Sequence, residues 1–271
     1  MLIECVVRAG INSERKMWGD QPHALPCRYL HHAADCVDEL IGAMGVFGHA
    51  ETARIVICER RNHDTSRRIE TGDEALSQCR YIMAYHQPCD NHRSGPLWLM
   101  NLVHRWLCGS ARWKSAVETY ILPWTLEGLS LGSNVLEVGP GPGATTDVLR
   151  DRVEQLTCVE VNRALADALR HRQMDRNVPV VCEDATAMSF PDQTFDGAVC
   201  FTMLHHVPSA AMQDRLLSEV ARVLRPGGFF AGTDSLYTRS FRLLHLFDTM
   251  VVVDPSTFAA RLRTAGFDDI S

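Results

Sequence analysis

The run Gly139-Pro140-Gly141-Pro142-Gly143 is the densest chemical signal in this chain, and two carboxylates follow it at informative distances. Glycine is needed where a backbone turns sharply or must admit a ligand with no Cβ in the way. Glu160 lies 21 residues past the first of these glycines, an offset at which an acidic side chain accepts bonds from both hydroxyls of a ribose. Asp184, in the string CEDA, is placed to reach an adenine. Singly, each carboxylate reads equally well as a solvated strand end. Together with the glycine run, at successive strand ends, they point to a nucleoside site. His205 and His206 close a later apolar run and offer a base for a protonated acceptor. His205 is the catalytic candidate, and His206 reads as structural.

The charge around the glycine loop separates two kinds of cofactor. A nicotinamide dinucleotide wants its pyrophosphate at a helix N-terminus. Here Glu137 and Asp147 flank the loop, and no basic residue lies between Glu137 and Val148. A cationic, phosphate-free ligand suits such a loop better.

These residues need a scaffold, and the pattern supplies one. Asn134–Val138, Leu156–Val161, Val178–Cys182, Phe195–Phe201 and Phe229–Gly232 read as short apolar strands. Between them lie helical segments over Ala144–Arg152, Arg163–Gln173 behind an Asn162 cap, and a long one from Ser209 to Pro226-Gly227-Gly228. Asp254-Pro255 opens a last helix that ends at Gly266. Strands alternating with helices predict an α/β, doubly wound parallel sheet covered on both faces. Ligands in such sheets bind beyond the carboxyl ends of the strands, where the glycine run falls. Upstream, four of the five tryptophans (Trp98, Trp106, Trp113, Trp124) sit in one or two helices. They are expected to pack the core, with a share shielding a pocket.

The strings VLEVGPGPG (135–143), CVEVN (158–162), CEDATAMSFPDQTFDGAV (182–199), LHHV (204–207) and RVLRPGG (222–228) resemble class I S-adenosylmethionine-dependent methyltransferases. The closest flavour is the small-molecule subgroup that includes ubiquinone- and menaquinone-biosynthesis enzymes. The resemblance covers residues 100–270 and implies a Rossmann-like methyltransferase sheet with S-adenosylmethionine as cofactor. It implies that Glu137, Gly139 and Gly141 line the methionine end of the cofactor, with Gly143 completing the loop. By the same resemblance Glu160 holds the ribose, Asp184 and Ala185 meet the adenine, and Phe201-Thr202 lie beneath the sulfonium. Methyl transfer to a small-molecule acceptor by in-line displacement then asks the protein for alignment and exclusion of water. No acceptor signature is visible. An NAD(P)-dependent oxidoreductase and a non-catalytic protein with a relic methyltransferase core stay as alternatives.

The family's sheet has seven strands, the last two an antiparallel pair at one edge. This chain stops at Phe267-Asp268-Asp269-Ile270-Ser271, where the sixth should begin. The sheet is therefore expected to be truncated before its last strand, with an open edge prone to self-association. Ala53–Cys58 is an apolar run able to form a strand, but nothing in the pattern assigns it that place.

Residues 95–271 read as the methyltransferase domain and residues 1–94 as an N-terminal extension. The extension is poorly patterned, with one helical stretch around Ala33–Met44 and loop chemistry at 87–96. It holds six of ten cysteines and seven of twelve histidines. The clusters Cys27, His31, His32, Cys36 and Cys79, His86, Cys89, His92 invite zinc, but their spacings are irregular and no CxxC occurs. No metal is expected. Met100 reads as a natural start, which would leave the first stretch disordered or not native. Lys16 and Lys114 are the only lysines against 25 arginines, a skew that fits a GC-rich genome.

Composition narrows the rest. Apolar residues make up 46% and the net charge is −6, which excludes a disordered chain and argues against a nucleic-acid binder. No run approaches the ~18 apolar residues that span a bilayer. The start lacks a secretory signal, so the cysteines, Cys158, Cys182 and Cys200 among them, read as reduced thiols of a cytoplasmic protein.

Overall fold

The computed structural model describes residues 52–60 and 101–270. The expected helix around Ala33–Met44, both Cys/His clusters, the candidate boundary at 87–96, Trp98 and Met100 lie outside them. A seven-stranded sheet runs through the described residues in the order β4-β3-β2-β5-β6-β1-β7. Its strands are β1 (Thr52–Arg60), β2 (Asn134–Val138), β3 (Gln155–Val159), β4 (Val180–Val181), β5 (Phe195–Phe201), β6 (Leu224–Ser235) and β7 (Phe267–Asp268). Strands β4, β3, β2, β5 and β6 are parallel. This is the doubly wound sheet the alternation predicts.

Side-chain alternation feeds two cores. Val135, Cys158, Val199 and Ala231 point to one face, where Val117, Leu122, Leu149 and Leu169 meet them. Leu136, Val138, Ala198 and Phe230 point to the other, against Leu216, Leu217, Val220 and Leu262. Every residue of β2 is buried, as expected of a central parallel strand covered on both faces. Helices α1 (Leu102–Cys108), α2 (Ala111–Ala116) and α3 (Leu122–Leu126) precede β2, with a π-helical turn over Val117–Ile121. Between the strands run α4 (Thr146–Leu149), α5 (Arg163–Arg172) and α6 (Ala210–Val223), and α7 (Arg239–Leu244) and α8 (Pro255–Ala265) follow β6.

The helix ends carry the expected chemistry. Asn162 accepts from Leu165 N–H at 3.1 Å and Ser209 from Met212 N–H at 3.2 Å, satisfying orphan donors of the first turns. Asp254 caps α8, Pro255 begins it, and Gly266 ends it in the left-handed region at φ 108°. The helix after the glycine run is shorter than expected, four residues rather than nine.

The far side of the sheet corrects the expectation that the place beside β6 is empty, although β7 covers the outer side of β1 only at Glu59 and Arg60. Strand β1 lies between β6 and β7, antiparallel to both, with Thr52 opposite Ser235, Glu59 opposite Phe229 and Asp268, and Arg60 opposite Phe267. The place beside β6 is filled from upstream of the motif-bearing region, and the backbone groups of β6 are paired there. The physical reason is plain: β6 is twelve residues long, and a long unpaired edge recruits any strand that can reach it.

Candidate functional site

The order of strands reverses between β2 and β5: the chain first moves outward through β3 and β4, then returns to β5 and β6. The crevice at their carboxyl ends is the switch point where such sheets bind ligands. An open cleft lies there, about 1040 Å³ when the space open to solvent at its mouth is included. Of the residues singled out from the sequence, Gly139, Gly141, Glu160, Asp184, Ala185, Phe201 and Thr202 line it. Glu137, Gly143 and His205 do not.

The loop after β2 is bent by left-handed glycines. Gly139 has φ 66° and Gly141 φ 54°, conformations costly for residues with a Cβ. A Cβ on Gly139 would also sit 2.3 Å from Met203 Cγ. Thr202, at the end of β5, holds φ 47° without being glycine, an outlier of the sort that gathers at binding sites.

Glu160 is buried, yet its carboxylate is engaged twice: Asn162 N–H donates to Oε1 at 2.8 Å and Gly141 N–H to Oε2 at 3.0 Å. Burial raises its pKa, and those two backbone donors act against the rise. A carboxylate has about four lone-pair positions, so capacity remains on the cleft side. Asp184 accepts from Thr186 N–H at 2.9 Å, fixing the turn after β4. Among the described residues, the charged side chains in the cleft wall are the carboxylates of Glu160, Glu183 and Asp184, with no lysine or arginine.

Glu137 works from beneath. It is 1% exposed and takes hydrogen bonds from the Thr145 hydroxyl, the Thr146 hydroxyl at 2.7 Å and Cys158 Sγ at 3.5 Å. Burial pushes its pKa up, and these donors oppose that. Its structural part is to tie the end of β2 to the residues that follow the glycine loop. Gly143 sits against Arg172 and Leu169 of α5 rather than against the cleft.

Basic side chains from outside residues 137–148 reach Asp147 beside the glycine loop. Asp147 is paired with Lys114 at 2.9 Å, Arg150 at 3.1 Å and Arg172 at 3.5 Å. Arg172 also donates to Gly143 O at 3.1 Å. Cations therefore do reach this loop, from helices remote in sequence, but they lie on its outer side and none lines the cleft.

The two adjacent histidines face different surroundings. His205 is 1% exposed; its backbone N–H donates to Asp234 Oδ2 at 2.9 Å, and its Nδ1 meets Asp234 Oδ1. Its Nε2 faces His245 Nε2 at 3.1 Å. His206 reaches the cleft wall. Trp113 and Cys108 join it, so one tryptophan shields the cleft while Trp106 is 67% exposed. Burial pushes the Cys108 thiol up to about 12, with Asp248 adding to the rise. Cys158 and Cys200 are buried thiols, whereas Cys182 is disulfide-bonded, a departure from the expectation of reduced cysteines.

With this geometry in hand, comparison with known proteins is informative. Residues 136–232 match a family described as a methyltransferase domain. The fatty-acid O-methyltransferase of Mycolicibacterium smegmatis is 37% identical over 106 residues, covering 38% of each chain. The ubiquinone biosynthesis O-methyltransferase of Coxiella burnetii is 29% identical over 99 residues, 36% of this chain and 41% of that protein. This chain thus spans about two fifths of the length of these relatives. A solved S-adenosylmethionine-dependent methyltransferase from Methanosarcina mazei is 25% identical, covering 38% of this chain and 53% of its own, with a TM-score of 0.36.

Proposed function

We propose that this chain, whose residues 136–232 match a family described as a methyltransferase domain, is a class I S-adenosylmethionine-dependent methyltransferase that transfers a methyl group to a small-molecule acceptor by in-line displacement. The observation that carries the reading is the charge of the cleft: three carboxylates and no cation among its described wall residues. Such a wall favours a ligand bearing an ammonium and a sulfonium and disfavours a pyrophosphate.

S-adenosylmethionine, when bound, supplies an electrophilic methyl group on a cationic sulfur. The residues of this chain hold and align it. The spare lone pairs of Glu160 suit the ribose hydroxyls, and Asp184 with Ala185 suits the adenine edge. The bent backbone at Gly139 and Gly141 lets the methionine portion approach, and Phe201 and Thr202 close the floor. Glu137 is a positioning residue, acting through Thr145 and Thr146. His205 holds the turn after β5 through Asp234 and is a positioning residue as well. The imidazole at the acceptor end is that of His206. Among the described residues no helix is long and apolar enough to cross a membrane, and we place the reaction in the cytoplasm.

Calorimetric titration tests the reading. S-adenosylhomocysteine should bind and NAD should not. Glu160→Ala should weaken S-adenosylhomocysteine by ~1–3 kcal/mol, the scale of lost charge-assisted hydrogen bonds. Unchanged affinity in that variant would remove the ribose assignment, and tight NAD binding would remove the cofactor assignment.

A further inference from the structure

Four imidazoles gather beside the cleft, with His206 in its wall, and the roles given to His205 and His206 do not account for the other two. His104 comes from α1, His205 and His206 from the turn after β5, and His245 from the end of α7. Ring centroids lie between 4.2 and 5.3 Å apart in five of the six pairs. His104 is 6% exposed and His245 3%.

Hydrogen-bond accounting fixes where their protons sit. His245 Nδ1 faces the Phe241 carbonyl at 2.8 Å; a carbonyl only accepts, so that nitrogen carries the hydrogen and Nε2 keeps its lone pair. His104 Nδ1 faces Asp248 Oδ2 at 3.2 Å, which by the same reasoning leaves its Nε2 bare. The His206 ring is held by the Thr249 backbone, and its enclosed Nε2 has no hydrogen-bond partner. Three rings are thus each anchored through one nitrogen, with a lone pair left on the other. One ring nitrogen from each of His104, His206 and His245 lies within 4.8 Å of the other two.

His205 Nδ1 is turned to Asp234, and its Nε2 lies 3.1 Å from His245 Nε2. Burial and neighbouring imidazoles hold His104 down to about 3, and burial first of all holds His245 down to about 4.

We propose that His104, His206 and His245 bind a divalent transition-metal ion of the zinc type through Nε2, with an open coordination position facing the cleft. An imidazole whose second nitrogen is anchored by a carboxylate or carbonyl is the usual outer shell of such a site. Asp248, Phe241 and Thr249 supply it three times over. Tetrahedral zinc with nitrogens at ~2.0–2.1 Å sets them about 3.4 Å apart, so closure needs side-chain shifts of about an ångström. His206 opens on the cleft and gives the ion its way in. The open position suits an acceptor oxygen, an assignment that rests on the methyl-transfer reading; the ion site itself does not.

The test uses the full chain, stripped with a chelator and titrated with zinc by calorimetry and with cobalt by visible and X-ray absorption. One ion should bind in a four-coordinate shell of at least three imidazoles, without sulfur-to-cobalt charge transfer. His206→Gln and His245→Gln should each lower affinity by about 100-fold or more, beyond the effect of losing an outer-shell partner. No stoichiometric ion in the unsubstituted chain overturns the proposal. So does a shell containing sulfur, or zinc affinity unchanged in both variants. The absorption spectrum needs only the unsubstituted chain, so the result stands even where a variant fails to fold.

Discussion

The two halves of the sheet are assembled by different means. From β4 to β5 the strands follow one another along the chain through short links, and Gly139, Gly141, Glu160 and Asp184 each sit a few positions past a strand. Beyond β6 the sheet is completed by β1, from far upstream, and by the two residues of β7. The first half is specified locally. The second depends on closing a long loop onto a waiting edge, at an entropic cost that grows slowly with loop length. Binding chemistry is concentrated in the first half, and the sheet's completeness is decided in the second.

The strongest way to break this comparison is to remove β1. A chain starting at Met100 reads from the sequence as self-sufficient, but the pairing of β1 with both β6 and β7 argues the reverse. Such a chain loses an interior strand, bares β6, and leaves β7 with no partner among the described residues. It should lose cooperative unfolding or self-associate, as read by thermal melting and light scattering against the full chain. Ile55→Pro is the milder form. Proline is disfavoured inside a paired strand and should lower the melting temperature. A shortened chain that melts as the full one does would show that β1 is dispensable.

The next largest effect separates positioning from contact within the cofactor half. Glu137→Ala leaves the Thr145 and Thr146 hydroxyls without their buried acceptor, at ~1–3 kcal/mol for each stranded group. It should lower the melting temperature and also weaken S-adenosylhomocysteine, although Glu137 does not line the cleft. Glu160→Ala should weaken the ligand with little change in melting. If the two variants behave alike, the distinction between a tether beneath the loop and a residue facing the ligand fails.

The same division explains what could be read in advance. The strand–loop–helix order, the caps at Asn162, Ser209 and Asp254, and the cleft placement of Gly139, Gly141, Glu160 and Asp184 are local properties of short strings. They were legible for that reason. His205 and His206 are neighbours of one type in a single turn, and only the direction of the backbone after β5 decides which meets Asp234 and which meets the cleft. His104 and His245 carry no spacing signal at all, since α1 and α7 bring them together only in the fold. Lys114 and Arg172 reach Asp147 in the same way. The strand at 52–60 could be seen as a strand but not placed, because the complement of an antiparallel pair lies in a distant segment.

The smallest effect expected is at the opposite end of the strands, where Asp196 fastens the two halves. Its Oδ2 accepts from Asn134 N–H at 2.9 Å, Ser133 N–H at 3.2 Å and the Ser133 hydroxyl at 3.1 Å, and its Oδ1 meets Arg225. One carboxylate thereby joins the starts of β2, β5 and β6. Burial works to raise its pKa, but the Asn134 N–H, Arg225 and Ser133 outweigh it and hold the group below the usual carboxylate range. A carboxylate depressed in the folded state contributes stability that is fully present above its unfolded value near 4. That contribution is lost as pH falls through the lower folded value. Asp196→Asn should therefore cost ~1–2 kcal/mol at pH 7, with the gap to the unsubstituted chain narrowing below about pH 4. Affinity for S-adenosylhomocysteine should not move, because Asp196 sits at the amino ends of the strands and the cleft at their carboxyl ends. Urea titrations at pH 7 and near pH 3, with a ligand titration alongside, measure both. A gap that stays constant across that range would mean the carboxylate's charge is not what joins the two halves.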